Sequence, residues 1–154
     1  MDLNDKLSTH FSLRELVRSD TATRLGIDNT PDEETIECLR FVSSQLLEPV
    51  REHFGVPFSP NSGFRCLELN RALKSKDTSQ HIKGEAVDIE VPGVSNFDLA
   101  DWLRGNVEFD QLILEFYTVG DPWSGWVHVS ARASENRGQV LTIGPGGTSQ
   151  GLSR

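Results

Sequence analysis

Apolar residues recur at helical spacing through the first third of the chain, where Ile36, Leu39, Val42, Leu46, Val50 and Phe54 fall on one stripe. Thr30-Pro31-Asp32-Glu33 stands ahead of the stripe as a helix start, with Pro at the first helical position, where its missing N–H is no loss, and Gly55 ends the run. The spacing predicts one long helix as the backbone of the core, kinked or interrupted at Pro49, which removes a helical hydrogen bond. Before it, Ser12-Leu13-Arg14-Glu15 has the form of a capping box and predicts a short helix over 13–18.

Beyond Gly55 the period changes. Residues 56–60 read as extended, 67–73 as a short helix and 74–80 as a polar loop. Residues 85–91 alternate, with Ala86, Asp88 and Glu90 facing one way and Val87, Ile89 and Val91 the other. Ser95 or Asn96 caps a further helix to Arg104 that buries Phe97, Leu99, Ala100 and Leu103. Alternation returns in 110–117, which puts Gln111, Ile113 and Glu115 on one face, and in 126–130, which groups Trp126, His128 and Ser130. The loop 118–125 joins these two as an antiparallel hairpin, and 139–143 reads as a last edge strand. Helices early and strands late predict an α+β domain, a mainly antiparallel sheet with helices packed on one face. The domain is expected to span 1–143, with the Gly/Ser-rich residues 144–154 as a flexible tail.

Composition narrows the function. A chain of 154 residues suits one domain with a substantial core, and no apolar run approaches the length needed to cross a membrane. The formal net charge of -8 opposes a general phosphate-binding surface, which argues against nucleic acid as a partner. Cys38 and Cys66 are too few for a disulfide framework and lack Cys-x-x-Cys spacing; free, partly buried thiols are expected, with a bridge between them left open. The first residues lack the pattern of a secretory signal, so synthesis and retention in the cytoplasm are expected.

Two stretches carry candidate chemistry. In Ser79-Gln80-His81-Ile82-Lys83-Gly84-Glu85-Ala86-Val87-Asp88, an imidazole in a loop and a strand carboxylate can meet if Gly84 turns the chain, and small Ala86 leaves room beside Asp88. In Gly125-Trp126-Val127-His128-Val129-Ser130, a histidine inside an apolar strand needs its ring nitrogens satisfied by hydrogen bonds or by a metal. Taken alone, each stretch is more often structural, a histidine satisfied by hydrogen bonds within the core. Together, His81, Asp88 and His128 with an open fourth position form a catalytic zinc pattern, which would bring the pKa of a water to ~7 and so points to a hydrolase.

Ser62-Gly63-Phe64-Arg65, Ser79-Gln80-His81-x-x-Gly84-x-Ala86-x-Asp88 and Trp126-Val127-His128, in that order, closely resemble the zinc D-alanyl-D-alanine carboxypeptidase family, whose fold is shared with the Hedgehog amino-terminal signalling domain. Residues 7–16 and 26–31 also look like phage and prophage members of that group, so the resemblance covers about 7–130. It implies Zn2+ held by His81, Asp88 and His128, and Arg65 steadying the substrate carbonyl as negative charge develops; the plain alternative for Arg65 is a surface residue paired with Glu68. It further implies a monomeric peptidase acting on the peptidoglycan stem peptide, as a D,D-carboxypeptidase or an endopeptidase, with Ser79 and Trp126 beside Arg65 on the substrate side. Trp126 reads equally as a residue packing the hairpin. The enzyme would reach the wall on lysis or be carried in a phage particle.

The chain departs from one common family pattern: many relatives carry Glu three residues before the last zinc histidine, where this sequence has Gly125. The remaining candidates for proton transfer are Glu115 and Asp121; strand alternation favours Glu115, against the plain reading of an exposed strand carboxylate. That departure also keeps in view an inactive zinc-containing recognition module of the same fold. Ser130 is a candidate support for a ligand. His10 and His53 belong to no metal motif.

Overall fold

A computed structural model describes residues 1–153. The first elements are short helices, α1 (Leu13–Val17) and α2 (Asp20–Leu25). Ser12 and Glu15 close the expected capping box on α1. Sequence patterning did not signal α2: Ser19 caps it and left-handed Gly26 ends it, but it buries only Ala22 and so shows no apolar stripe.

The long helix forms as α3 (Glu33–Val42), a widened π turn (Ser43–Leu47) and α4 (Glu48–Phe54), closed by Gly55 in the left-handed region. The interruption falls just ahead of Pro49, not on it. A proline ring clashes with the carbonyl four residues back, and a π turn, in which the Glu48 N–H bonds to Ser43 O, relieves that clash while the stripe from Ile36 to Val50 stays buried.

Next come α5 (Leu67–Ala72), β1 (Ala86–Ile89), α6 (Asn96–Asn106), β2 (Gln111–Glu115), β3 (Trp126–Ser130), β4 (Gln139–Gly144) and β5 (Gly147–Gln150). They build one five-stranded sheet in the order β1-β3-β2-β4-β5. The chain is α+β, and all pairings are antiparallel except β2 with β4. Val87, Ile89, Leu112, Leu114, Val127 and Val129 point from one face into the helical layer and are fully buried. Each of the three strands contributes two of these side chains, and at about 1.5–3 kcal/mol apiece a one-residue slip of a strand would forfeit roughly 3–6 kcal/mol, so this face fixes the register for the other.

Strand β4 is not the edge that alternation suggested, because residues 147–150, within the expected tail, form the strand β5 on its outer side. Gly144 and Gly147 pair across a loop of Pro145 and Gly146, so the Gly-rich composition marks a hairpin turn. Arg154 of the expected tail lies outside the described residues. Cys38 and Cys66 are both free thiols, and no helix among the described residues is long and apolar enough to cross a membrane.

Candidate metal centre

The face of the sheet turned away from the helices carries the candidate chemistry. Asp88 on β1 stands directly opposite His128 on β3, and His128 opposite Ile113 on β2. His81 reaches the same point from the loop before β1. Gly84 makes that return possible: it sits at φ 73°, and a side chain there would meet Thr35 within 3 Å.

A second return brings in the Ser62-Gly63-Phe64-Arg65 stretch. Asp88 N–H donates to Ser62 O at 2.8 Å and Asn61 N–H to Asp88 O at 2.8 Å, so this segment lies along β1. Gly63 is required by close approach, since a Cβ there would fall 2.3 Å from the Leu16 carbonyl oxygen. Its own carbonyl accepts a 2.7 Å hydrogen bond from His81 Nδ1.

That bond fixes the tautomer. A carbonyl can only accept, so Nδ1 carries the proton and Nε2 presents a lone pair. Nε2 is buried without a hydrogen-bond partner and faces Asp88 Oδ1 at 3.4 Å. Burial, with Arg65 and His128 nearby, holds the His81 pKa below its ordinary value despite Asp88, so the neutral ring is favoured. Two lone pairs therefore meet at 3.4 Å, an arrangement that calls for a cation between them.

His128 Nδ1 lies 3.0 Å from the same Asp88 oxygen, and one ligand atom from each of the three residues falls within 4.8 Å of the others. Tetrahedral zinc bonds of about 2.0–2.1 Å would separate neighbouring ligand atoms by about 3.3 Å, so the two short separations fit a single ion. Burial pushes the Asp88 carboxyl up, but the hydrogen bond from His128 leads the opposing effects, which hold the group well below the usual carboxylate range. The donor set is thus two imidazoles and an ionised carboxylate, one side of which opens on a cleft of about 700 Å³.

Arg65 lines that cleft and is not a surface residue paired with Glu68. Its guanidinium is mostly buried and donates to Ser62 Oγ at 3.3 Å and Asn70 Oδ1 at 3.2 Å, with Nη2 3.7 Å from Asp88 Oδ2. Asn70 is fully buried and also donates to Lys76 O at 2.9 Å, tying the arginine to the loop that carries His81. Neither Asn70 nor the Gly63 carbonyl stood out in the sequence. A polar residue on the buried side of α5 was the only available signal for Asn70, and a backbone carbonyl leaves none.

Glu115 also lines the cleft, two residues along β2 from Ile113. Burial and then the Asp88 charge raise its pKa, while His128, a 2.7 Å hydrogen bond from Trp126 Nε1 and Arg65 oppose the rise. Trp126 thus stands on the cleft face, packing on Phe116 with ring centroids 5.6 Å apart. Asp121 does not line the cleft; it is exposed and organises the hairpin loop by accepting from Trp123 N–H. Gly125 sits at φ 69°, and a Cβ there would lie 2.1 Å from Glu115 O, so this backbone has no room for the glutamate that many relatives carry at that position.

Ser79 lines the cleft, and its hydroxyl accepts from His81 N–H at 3.2 Å. Ser130 supports no ligand: it is buried and its hydroxyl accepts from Gln111 N–H at 3.1 Å. His10 bonds to Glu48 and His53 stacks on Trp102, both away from the centre.

The family model described as Peptidase M15 matches residues 9–130, which takes in every residue of this centre. No curated protein matches the chain.

Proposed function

The chain belongs to the peptidase M15 family, and on that premise we propose that it is a zinc metallopeptidase hydrolysing a peptide bond in bacterial peptidoglycan, as a D,D-carboxypeptidase or an endopeptidase on the stem peptide. The observation that carries the metal assignment is the lone pair of His81 Nε2, buried without a partner and aimed at Asp88 Oδ1. His81 would bind through Nε2, His128 through Nδ1 and Asp88 through a carboxylate oxygen. Zinc there would supply Lewis acidity for the scissile carbonyl and bring the pKa of a water to ~7.

The chain's own groups divide the remaining work. Glu115, half-buried and held by Trp126, takes a proton from the attacking water and returns it to the leaving amine. Arg65, fixed by Ser62 and Asn70, offers N–H donors where the carbonyl oxygen gains charge. Trp126 and Ser79 form parts of the wall against which the peptide lies. In this reading the protein works as a monomer, is made in the cytoplasm and meets the wall on lysis or from a phage particle, supported by the likeness of its opening residues to phage and prophage members.

The test is digestion of purified peptidoglycan by zinc-loaded protein, with mass spectrometry of the released fragments. New peptide ends are expected, at about one zinc per chain, and none from His81→Ala. A protein that binds zinc and peptidoglycan yet releases no new ends would be a recognition module of the same fold, and full activity without metal would refute the metal assignment.

A further inference from the structure

Residues beyond 130 fall outside the family match, yet they give the cleft two of its wall residues, Arg137 and Ile143. Arg137 is held by Asp110 through two short contacts, Nε to Oδ1 at 3.1 Å and Nη2 to Oδ2 at 2.7 Å. Asp110 is fully buried and also accepts from Arg132 Nη2 at 3.0 Å. One carboxylate shared by two guanidiniums leaves a net positive charge, and the Arg137 side chain remains 52% exposed with Nη1 uncommitted to Asp110.

Lys76 adds a second cation to the same cleft. Its neighbour Asp77 is already engaged by Arg71 at 2.8 Å, so the lysine is not neutralised locally. With Arg65, and with Arg132 and Asp110 behind the wall included, four cations stand against the carboxylates of Asp88, Glu115 and Asp110, and bound zinc would widen that excess. A positive cleft in a chain of net charge -8 concentrates anionic ligands against the field of the rest of the surface.

We propose that Arg137 and Lys76 form a carboxylate-binding subsite, through which the enzyme selects peptides bearing an acidic group about three residues from the bond cut. The spacing follows from the sheet. Asp110, which fixes Arg137, lies three residues before Ile113, the neighbour of His128. At about 3.3 Å per strand residue the anchor of Arg137 stands about 10 Å along β2 from Ile113, a reach of about three residues of extended peptide measured along the strand. A guanidinium already clamped by a buried carboxylate loses little freedom on binding a second one, which favours recognition over a merely structural ion pair.

This subsite rests on the peptidase reading for its substrate class. The experiment uses two synthetic stem-like peptides, identical except for a free carboxylate or a carboxamide on the third residue from the scissile bond. Zinc-loaded protein should prefer the carboxylate by ~10-fold in kcat/KM, mainly through KM. Arg137→Gln and Lys76→Gln should each shrink that ratio towards one, and Arg137→Lys should retain part of it. Equal handling of both peptides by the unaltered protein, or an unchanged ratio in the variants, would overturn the proposal. Should Arg137→Gln fail to fold, Lys76→Gln carries the comparison. If neither peptide is cut, the peptidase reading fails, and calorimetry still decides the subsite: binding ~10-fold weaker for the carboxamide supports it, equal binding refutes it.

Discussion

Glu115 and Trp126 face each other across the β2–β3 hairpin, and the indole Nε1 donates a 2.7 Å hydrogen bond to Glu115 Oε2. The pairing orients the carboxylate towards the cleft and lowers its pKa against the effects of burial and Asp88, which raise it. Glu115→Gln is expected to lower kcat by about 10²–10⁴ with zinc content unchanged. In metal-free protein the Glu115 titration should lie above its ordinary 4.5. It should fall when zinc is added, because a nearby cation favours the ionised form. Trp126→Phe removes a bond to that ionised form, so the acid limb of the kcat/KM profile should move to higher pH. A limb that stays in place would show that Glu115 is not the group titrating.

Metal binding should be visible without any substrate. A ligand that binds only the folded state at one hundred times its Kd adds about 2.7 kcal/mol, which for a chain of this length is roughly 5–10 °C in Tm. Differential scanning calorimetry with zinc and with chelator should show that gap, and His81→Ala should abolish most of it. The same melting temperature in both solutions would mean that the three side chains only hydrogen-bond one another.

Much of this architecture was legible in the sequence. The stripe from Ile36 to Val50 and the alternation around Asp88, Glu115 and His128 reported the buried face directly, because burial sets a period that residue order must follow. The π turn before Pro49 was legible only as a disturbance, since the proline marks where a helix cannot continue but not how the chain adjusts. Strand β5 escaped because all four of its residues are exposed, so no apolar period records it. At the site, the candidate ligands His81, Asp88 and His128 and also Arg65 sit in recognisable motifs. The Gly63 carbonyl and Asn70, which hold them, act through backbone approach and buried amide bonds that spacing does not reveal.

Gly125 makes a strong demand on the backbone. Past the Glu115–Trp126 pair, both Phe116 at φ 55° and Gly125 at φ 69° leave the strand conformation. A Cβ at 125 would meet Glu115 O at 2.1 Å and Phe116 C at 2.7 Å, neither of which can swing aside as a side-chain tip would. Gly125→Ala should therefore destabilise by about 2–4 kcal/mol in urea unfolding and displace the Glu115 carboxylate, lowering kcat in the protein that remains folded. Gly125→Glu should be no better, even though it restores the residue many relatives carry. A stable, active Gly125→Glu variant would show that the hairpin can adopt the relatives' arrangement.

Asp110 links the stability of the cleft wall to pH. The Arg137 hydrogen bond is the largest influence on it; burial opposes, and further bonds from Arg137 N–H and Arg132 bring the carboxyl well below its ordinary 3.8. A carboxylate whose pKa is depressed by folding stabilises the fold above its unfolded value, and the contribution disappears as pH falls through the folded value. Asp110→Asn leaves Arg132 and Arg137 facing a neutral amide, and because both arginines are partly exposed the loss at neutral pH should be about 2–3 kcal/mol. The difference between the two proteins in urea should hold constant down to about pH 4 and narrow below it, because the unfolded carboxylate takes up its proton while the native one stays ionised. A difference independent of pH would mean that Asp110 anchors the loop through hydrogen-bond geometry that asparagine fails to match, and not through its charge.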